Sequence, residues 1–408
     1  MTEQAQQDLL TIYHAALAAV HGETCTRDAL RASMPSGPVA VIAIGKAAAA
    51  MARGAVSALG EQLEAGLLIT KTEHGDADLQ ADRRFRCLES AHPEPDARSL
   101  QAGEALLSFI AEQPMERRLL FLISGGTSAL VEVLPEGVTL DDLQRVNRWL
   151  LGSGLDITAI NQVRKALSAI KGGGLLRWLR GRELICRAIS DVPGDLPQVI
   201  GSGLLFPSPR NELPNLPAWI QTLLSRLPKL VAPETVAVDM QLVATLAQAK
   251  QAAARKAREL GYEVVLHPPA LAGDAHDTGQ ALARQLCAAP PALHIWGGET
   301  TVRLPEHPGR GGRNQHLALA AATVLAGQDD CWLLAAGTDG SDGPTTAAGA
   351  LVDGATQGRG EAAGINADNA LAAADAGSFL RASGDLIHTG PTGTNVMDLV
   401  LGLRVAPV

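Results

Sequence analysis

The sequence predicts an α/β protein of two domains whose main sheet is mostly parallel. Three observations predict it. Short apolar runs recur without polar alternation, as strands covered on both faces require. Glycine-rich polar clusters follow those runs, the composition of tight turns between a strand and a helix. The length of 408 residues exceeds what one typical core encloses.

The elements follow in chain order. Residues 1–30 read as an amphipathic helix. PVAVIAI (38–44) is a strand that ends at Gly45-Lys46, and AAAAMARGAVSAL follows it as a helix. GLLIT (66–70) and FRCLES (85–90) are further strands, the second leading into HPEPD. RLLFLI (118–123) runs into SGGTSA, and ELICRAI (183–189) into SDVPGD. The proline-rich stretch PSPRNELPNLP (207–217) reads as a linker or irregular surface segment. Beyond it an alanine-rich helix (239–259) leads to the strand YEVVLH (262–267). ALHIW (292–296) ends in GGETT, CWLLAA (331–336) in GTDGSDGPT, and DLIH (385–388) in TGPTGTN. The domains are set at 1–230 and 231–408. Polar clusters thus gather at the carboxyl ends of strands, the edge where open parallel sheets bind ligands.

Composition narrows the function. A formal net charge of -9 argues against non-specific binding to nucleic acid or to anionic membranes. No run approaches the ~20 apolar residues that cross a bilayer, and the N-terminal stretch lacks a signal-peptide pattern. The five cysteines show no zinc spacing and are expected as free thiols. A cytoplasmic location is expected. His14, His92, His276, His316 and His388 fall in no ligand spacing, although His92 and His388 adjoin the polar turns.

Against that acidic background, INQVRKALSAIKGGG (160–174) gathers cations. At helical spacing Asn161, Arg164, Lys165, Ser168 and Lys171 share one stripe, and Gly172 to Gly174 end the helix. Taken alone, the stripe also reads as a solvated face with a glycine cap. Gly45-Lys46 is not a phosphate-binding P-loop: no glycine stands five residues before Gly45, and Ala47 occupies the magnesium-binding Ser/Thr position. A dinucleotide fingerprint is also missing.

Other anion cradles are present. Ser124, Gly125, Gly126, Thr127 and Ser128 join a strand to a helix start, where backbone N–H groups face outward. In GRGGRNQ, Arg310 and Arg313 flank Gly311 and Gly312, with Asn314 opening a helix. Carboxylates stand at other strand ends: Asp191 and Asp195, Glu299, and Asp339 (after Thr338) with Asp342. Mg²⁺ favours one or two carboxylates shared with substrate phosphates. Basic, glycine-rich and acidic clusters at one sheet edge suit phosphoryl transfer, which is largely positioning and charge neutralisation.

These motifs resemble the glycerate 2-kinases whose C-terminal part is called the MOFRL domain. The resembling segments are AIGKAAAAMA, HPEPD, SGGTSAL, NQVRKALSAIKGG, ISDVPGD, WGGETTV, GRGGRNQHLALA, GTDGSDGPTTAAGA and TGPTGTNVMDL, in the family's order, from about 40 to 400. The resemblance implies transfer of the γ-phosphate of ATP to the 2-hydroxyl of D-glycerate, with Mg²⁺. It implies a Rossmann-like N-terminal domain, a smaller α/β C-terminal domain containing a MOFRL-like region (about 292–400), and a cleft between them. It places the family's lysine at Lys46 and its arginine at Arg313.

On that basis Lys46, Arg313 and Asp191 are the expected catalytic residues. Asp191, Asp339 and Asp342 are the candidate metal ligands, and which carboxylate is base stays open. Substrate and nucleotide contacts are expected from Ser124 to Ser128, Asn161, Arg164, Lys165, Lys171, Glu299, Gly311, Gly312, Asn314, Thr338 and Asp339, with the KGGG turn as a second source of amide donors. Two departures bear on the acceptor: Ser202-Gly203-Leu204 stands for the family's SGP, and Gly273-Asp274-Ala275 for Gly-Glu-Ala. The expected partners are glycerate and ATP, and a homodimer is compatible with the reading. The alternatives are a hydroxypyruvate reductase, which would need a nicotinamide site, and a non-catalytic sugar-phosphate binder, which would leave the acidic turns without a role.

Overall fold

A computed structural model describes residues 2–155, 157–208, 213–227 and 236–406. The chain forms two compact units. One is Gly22–Val243, here the N-terminal unit; the other joins the segment up to His21 to the residues from Ala244 onward, here the C-terminal unit. The expected division at 230/231 falls outside the described residues. The crossing lies at Val243/Ala244 because the strand Val238–Ala244 belongs to the sheet of the N-terminal unit.

The expected helix over the first thirty residues is two helices, Thr2–Ala19 and Gly22–Ala32, in different units. The first packs against the helix Leu246–Glu259 and buries Leu9, Ile12, Tyr13 and Ala16 completely. The expected helix 239–259 starts only at Leu246. Residues 238–244 show the alternating burial of an edge strand, and Thr245 with Gln248 forms a reciprocal N-terminal cap.

The N-terminal unit is built on β1 (Val39–Ile44), β2 (Leu63–Lys71), β3 (Phe85–Ser90), β4 (Arg118–Ile123), β5 (Leu184–Ile189) and β6 (Val238–Ala244), in the order β3-β2-β1-β4-β5-β6. β1 to β5 are mutually parallel. β1 and β5 are buried along their whole length, as their unalternated apolar sequences require. Ile42, Ile44, Phe121 and Ile123 share one core with Leu106 and Ile170. The strand order reverses between β1 and β4, where ligands bind in open α/β sheets.

The C-terminal unit has β7 (Val264–Leu266), β8 (Ala292–Gly298), β9 (Cys331–Gly337), β10 (Gly349–Asp353), β11 (Leu386–Ile387) and β12 (Asp398–Arg404), in the order β11-β10-β9-β12-β8-β7. This sheet is mixed: β12 runs antiparallel to both β8 and β9. Among the described residues no helix is long and apolar enough to cross a membrane.

Candidate active site

In the N-terminal unit the turns after β1 and β4 interlock. Gly45 adopts φ 131°, and a Cβ on it would sit 2.1 Å from Ser124 Oγ and 2.6 Å from the Ser124 carbonyl oxygen. Only glycine lets the turns touch. The Lys46 N–H then donates to the Gly125 carbonyl (2.9 Å) and the Ala47 N–H to Ser124 Oγ (3.1 Å). Thr70 Oγ1 donates to the Gly45 carbonyl (3.0 Å), and Thr127 Oγ1 to the carbonyls of Ile44 (3.0 Å) and Ser124 (2.7 Å). A Cβ on Gly126 would lie 3.1 Å from the His92 ring and 3.2 Å from Lys46 Cγ, so the Lys46 stem and His92 border this glycine. The N–H groups of Gly125, Gly126, Thr127 and Ser128 have no acceptor among the described residues. Ser128 Oγ accepts from Ser202 Oγ at 2.8 Å.

The KGGG turn behaves differently. The helix Ile157–Ala166 stops before Lys171, so the expected stripe does not run that far. Lys171 points inward: its ammonium pairs with Glu132, and both side chains are buried. Glu132 also accepts from Ser168 Oγ at 2.5 Å. The Gly172 N–H donates to the Ser202 carbonyl (2.9 Å), that of Gly173 to the Gly203 carbonyl (2.6 Å), and that of Gly174 to the Lys171 carbonyl (3.0 Å). Lys171 and the KGGG amides are therefore structural, contrary to expectation. The turn exists to join the 171–174 backbone to the 201–203 backbone.

Earlier members of the stripe are half-buried. Arg164 Nε donates to Asn147 Oδ1 (3.0 Å), and Lys165 Nζ to the Gln198 carbonyl (2.9 Å) and Ser208 Oγ (2.7 Å). Burial lowers the pKa of both cations from their usual ranges. Asn161 is half-buried on the same helix, and Asp191 is half-buried just past β5.

In the C-terminal unit, strand direction assembles the site. Asp398 starts the antiparallel β12 and pairs in register with Gly298 and with Gly337, the last residues of β8 and β9. Glu299, Thr338-Asp339 and Asp398 therefore emerge at one edge. Arg313, the first residue of the helix Arg313–Leu325, joins them. Its Nε donates to Asp398 Oδ2 (2.5 Å), and its Nη2 to Asp398 Oδ1 (3.1 Å) and Glu299 Oε1 (2.5 Å). Burial disfavours the guanidinium charge, but Asp398 and Glu299 outweigh it and raise its pKa above the ordinary arginine value. Asp398 is 5% exposed and Glu299 41%, so the second partner is the more accessible one.

Asp342 does not fit its expected role as a metal ligand. Its Oδ1 accepts from the Asn314 N–H (3.1 Å) and Nδ2 (3.2 Å), and its Oδ2 from the Gln315 N–H (2.8 Å). It satisfies the first amides of the Arg313–Leu325 helix from outside that helix. Burial raises its pKa to about 7 despite those N–H groups. The Asn314 side chain is likewise held by Asp342, and Thr338 Oγ1 donates to the Met397 carbonyl (2.6 Å) while accepting from the Val396 N–H (2.8 Å). Both side chains serve the scaffold. Gly311 and Gly312 sit at the helix entry, and a Cβ on Gly312 would meet the Asp342 carboxylate at 2.4 Å.

Asp339, buried, accepts from the Ser341 N–H (2.9 Å) and Oγ (3.1 Å) through Oδ1. Among the described residues no three His, Cys, Asp or Glu side chains gather as a metal site. Asp398 and Glu132 do not stand out in the sequence as individual residues. For Asp398 a signal existed, a carboxylate opening the apolar run DLVLGL; for Glu132 it was a lone acid inside SALVEVL.

Two family models match the chain: DUF4147, a domain of unknown function, over residues 8–226, and the MOFRL family over residues 292–398. The chain is 33% identical over 382 residues to a D-glycerate 2-kinase of Thermotoga maritima, covering 90% of this chain and 91% of that protein. It is 36% identical to a putative hydroxypyruvate reductase of Agrobacterium vitis, covering 97% and 93%. A crystal structure of glycerate kinase from Thermotoga maritima superposes with a TM-score of 0.83 at 32% identity, over 99% of this chain and 100% of that one.

Proposed function

The chain belongs to the glycerate kinase family that joins a DUF4147 region to a MOFRL region, and from that membership we propose how its residues phosphorylate glycerate. The enzyme is a phosphotransferase with an alcohol acceptor, and ATP is the phosphate donor. The finer assignment, D-glycerate phosphorylated at its 2-hydroxyl with Mg²⁺, is our reading. The observation that carries it is the interlocked β1–β4 turn, which sets Lys46 beside four N–H groups that have no acceptor among the described residues.

In this reading the Gly125–Ser128 amides and the Lys46 ammonium hold nucleotide phosphate oxygens. Phosphoryl transfer needs little covalent help from the protein, so fixed donors and a well-placed cation supply most of the catalysis. Arg313 is the second charge-stabilising cation. It keeps its bond to the buried Asp398 and exchanges the exposed Glu299 for a phosphate or carboxylate oxygen. Asp191 and Asp339 are the candidates for Mg²⁺, which would neutralise phosphate charge; either carboxylate can instead accept the proton of the attacking hydroxyl. Asn161, Arg164 and Lys165 are kept as candidates for the acceptor's carboxylate.

The test is ADP release with D-glycerate and L-glycerate, with and without EDTA, and product identification by NMR. The reading expects D-glycerate and the 2-phosphate, with turnover lost in EDTA. The 3-phosphate, or full turnover without divalent metal, overturns the corresponding part. NADH oxidation with hydroxypyruvate is expected to be absent.

A further inference from the structure

We propose that Tyr13 is a positioning residue for this reaction: its hydroxyl holds the Gly337 peptide, and through it the Asp339 and Asp398 carboxylates that flank that glycine. The inference rests on the reading of the Arg313–Asp398 pair as part of the catalytic machinery.

Tyr13 lies in the helix Thr2–Ala19 and is completely buried in the C-terminal unit. A phenol in such a place must find a partner, and its neighbours Leu9, Ile12 and Ala16 offer only apolar side chains. The hydroxyl donates to the Gly337 carbonyl at 2.7 Å, across 324 residues of sequence. Gly337 ends β9, and its N–H donates to the Ala348 carbonyl at 2.8 Å. A Cβ on Gly337 would stand 3.4 Å from Asp339 Oδ1 and 3.5 Å from Asp398 Oδ1. Both carboxylates therefore border this one residue, and Asp398 is the buried anchor of Arg313.

The same peptide group is held on its N–H side, and the next one at its carbonyl. The Thr338 N–H donates to the Met397 carbonyl (3.1 Å), and Thr392 Oγ1 to the Thr338 carbonyl. The Gly337 carbonyl also accepts the Gly340 N–H at 3.3 Å, and the Tyr13 hydroxyl is its shorter donor and, among the described residues, its one side-chain donor. Burial and the two nearby carboxylates raise the phenol's pKa above the ordinary tyrosine value, so it remains a donor across the working range. Packing alone would be served by phenylalanine. The hydroxyl is what the site uses.

The experiment compares wild type, Tyr13→Phe, Arg313→Ala and the double variant in the same ADP-release assay, with melting curves beside it. Tyr13→Phe is expected to lower kcat on the order of tenfold, about the value of one buried hydrogen bond, with the KM for ATP nearly unchanged. In the Arg313→Ala background the same change should add nothing, since both act through one cluster. Wild-type kcat in Tyr13→Phe, or a loss that multiplies in the double variant, overturns the inference. Full turnover in Arg313→Ala overturns the site reading, and this inference with it. A measurement without mutation of Tyr13 guards against misfolding. The chain has two tyrosines, Tyr13 and Tyr262, so 3-fluorotyrosine labelling gives two ¹⁹F signals, assigned with Tyr262→Phe. The Tyr13 signal is expected to shift on saturation with ADP and glycerate; an unmoved signal overturns the proposal.

Discussion

Two glycine-rich turns of the N-terminal unit look alike in sequence and differ in what their amides bond to. SGGTS (124–128) and KGGG (171–174) each pair glycines with a cation, Lys46 in the first case and Lys171 in the second. In the first the amides of Gly125 to Ser128 have no acceptor among the described residues, and Lys46 borders Gly126. In the second every glycine amide donates to a carbonyl of the chain, and the lysine is buried against Glu132. A glycine run with a lysine is therefore not a phosphate cradle in itself. What decides is whether the N–H groups already have partners.

That contrast can be broken from either side. Lys46→Ala should cost about 10³-fold in kcat with an unchanged melting temperature. Lys171→Ala should instead leave Glu132 as an uncompensated buried charge and cost about 3–5 kcal/mol of stability, read by urea unfolding. Comparable stability losses in both variants, or a normal kcat for Lys46→Ala, would erase the distinction. A smaller effect is expected from Gly45→Ala, whose Cβ would overlap Ser124 and push the two turns apart. A displacement of about 1 Å at such a site is worth on the order of 10²-fold in rate. Normal kinetics in that variant would mean that the interlock is dispensable.

The smallest effect sharpens a parallel contrast in the C-terminal unit, between Asp398, which serves Arg313, and Asp342, which serves a helix end. Burial raises Asp342 from the ordinary 3.8 to about 7. Between those values the native state holds a proton that the unfolded chain has lost, so stability falls as pH rises from about 4 toward 7 and this contribution flattens above. The slope is on the order of 1 kcal/mol per pH unit where it is steepest. Unfolding of Asp342→Asn at pH 5 and pH 7 should show a shallower decline than wild type. Equal slopes would remove Asp342 from the pH response.

The strands were legible because burial on both faces writes itself as unbroken apolar sequence. VAVIAI and LICRAI are read directly, and even the arginine in the second is accommodated, its guanidinium bonding to Asp239. β10 and β12 are not legible in this way. GALVD and DLVLGLR are short, carry glycine, and stand beside turn-like sequence, although β12 lies in the middle of its sheet. Missing it also hid Asp398, whose role depends on β12 running antiparallel so that its first residue meets the last residues of β8 and β9. Strand direction is a property of pairing and leaves little trace in a single segment.

The sequence by itself determined the α/β class, the strands β1 to β5, the turn between β4 and the following helix, and a set of candidate cations and acids at strand ends. Those follow from local rules: apolar runs, glycine at turns, charge at strand ends. Only the tertiary structure decided that Lys171 faces the interior, that Asp342 closes a helix end, and that the N-terminal helix carries Tyr13 to Gly337. Each of these depends on which distant partner satisfies a buried polar group, and hydrogen-bond partners are chosen by packing in space, not by order along the chain.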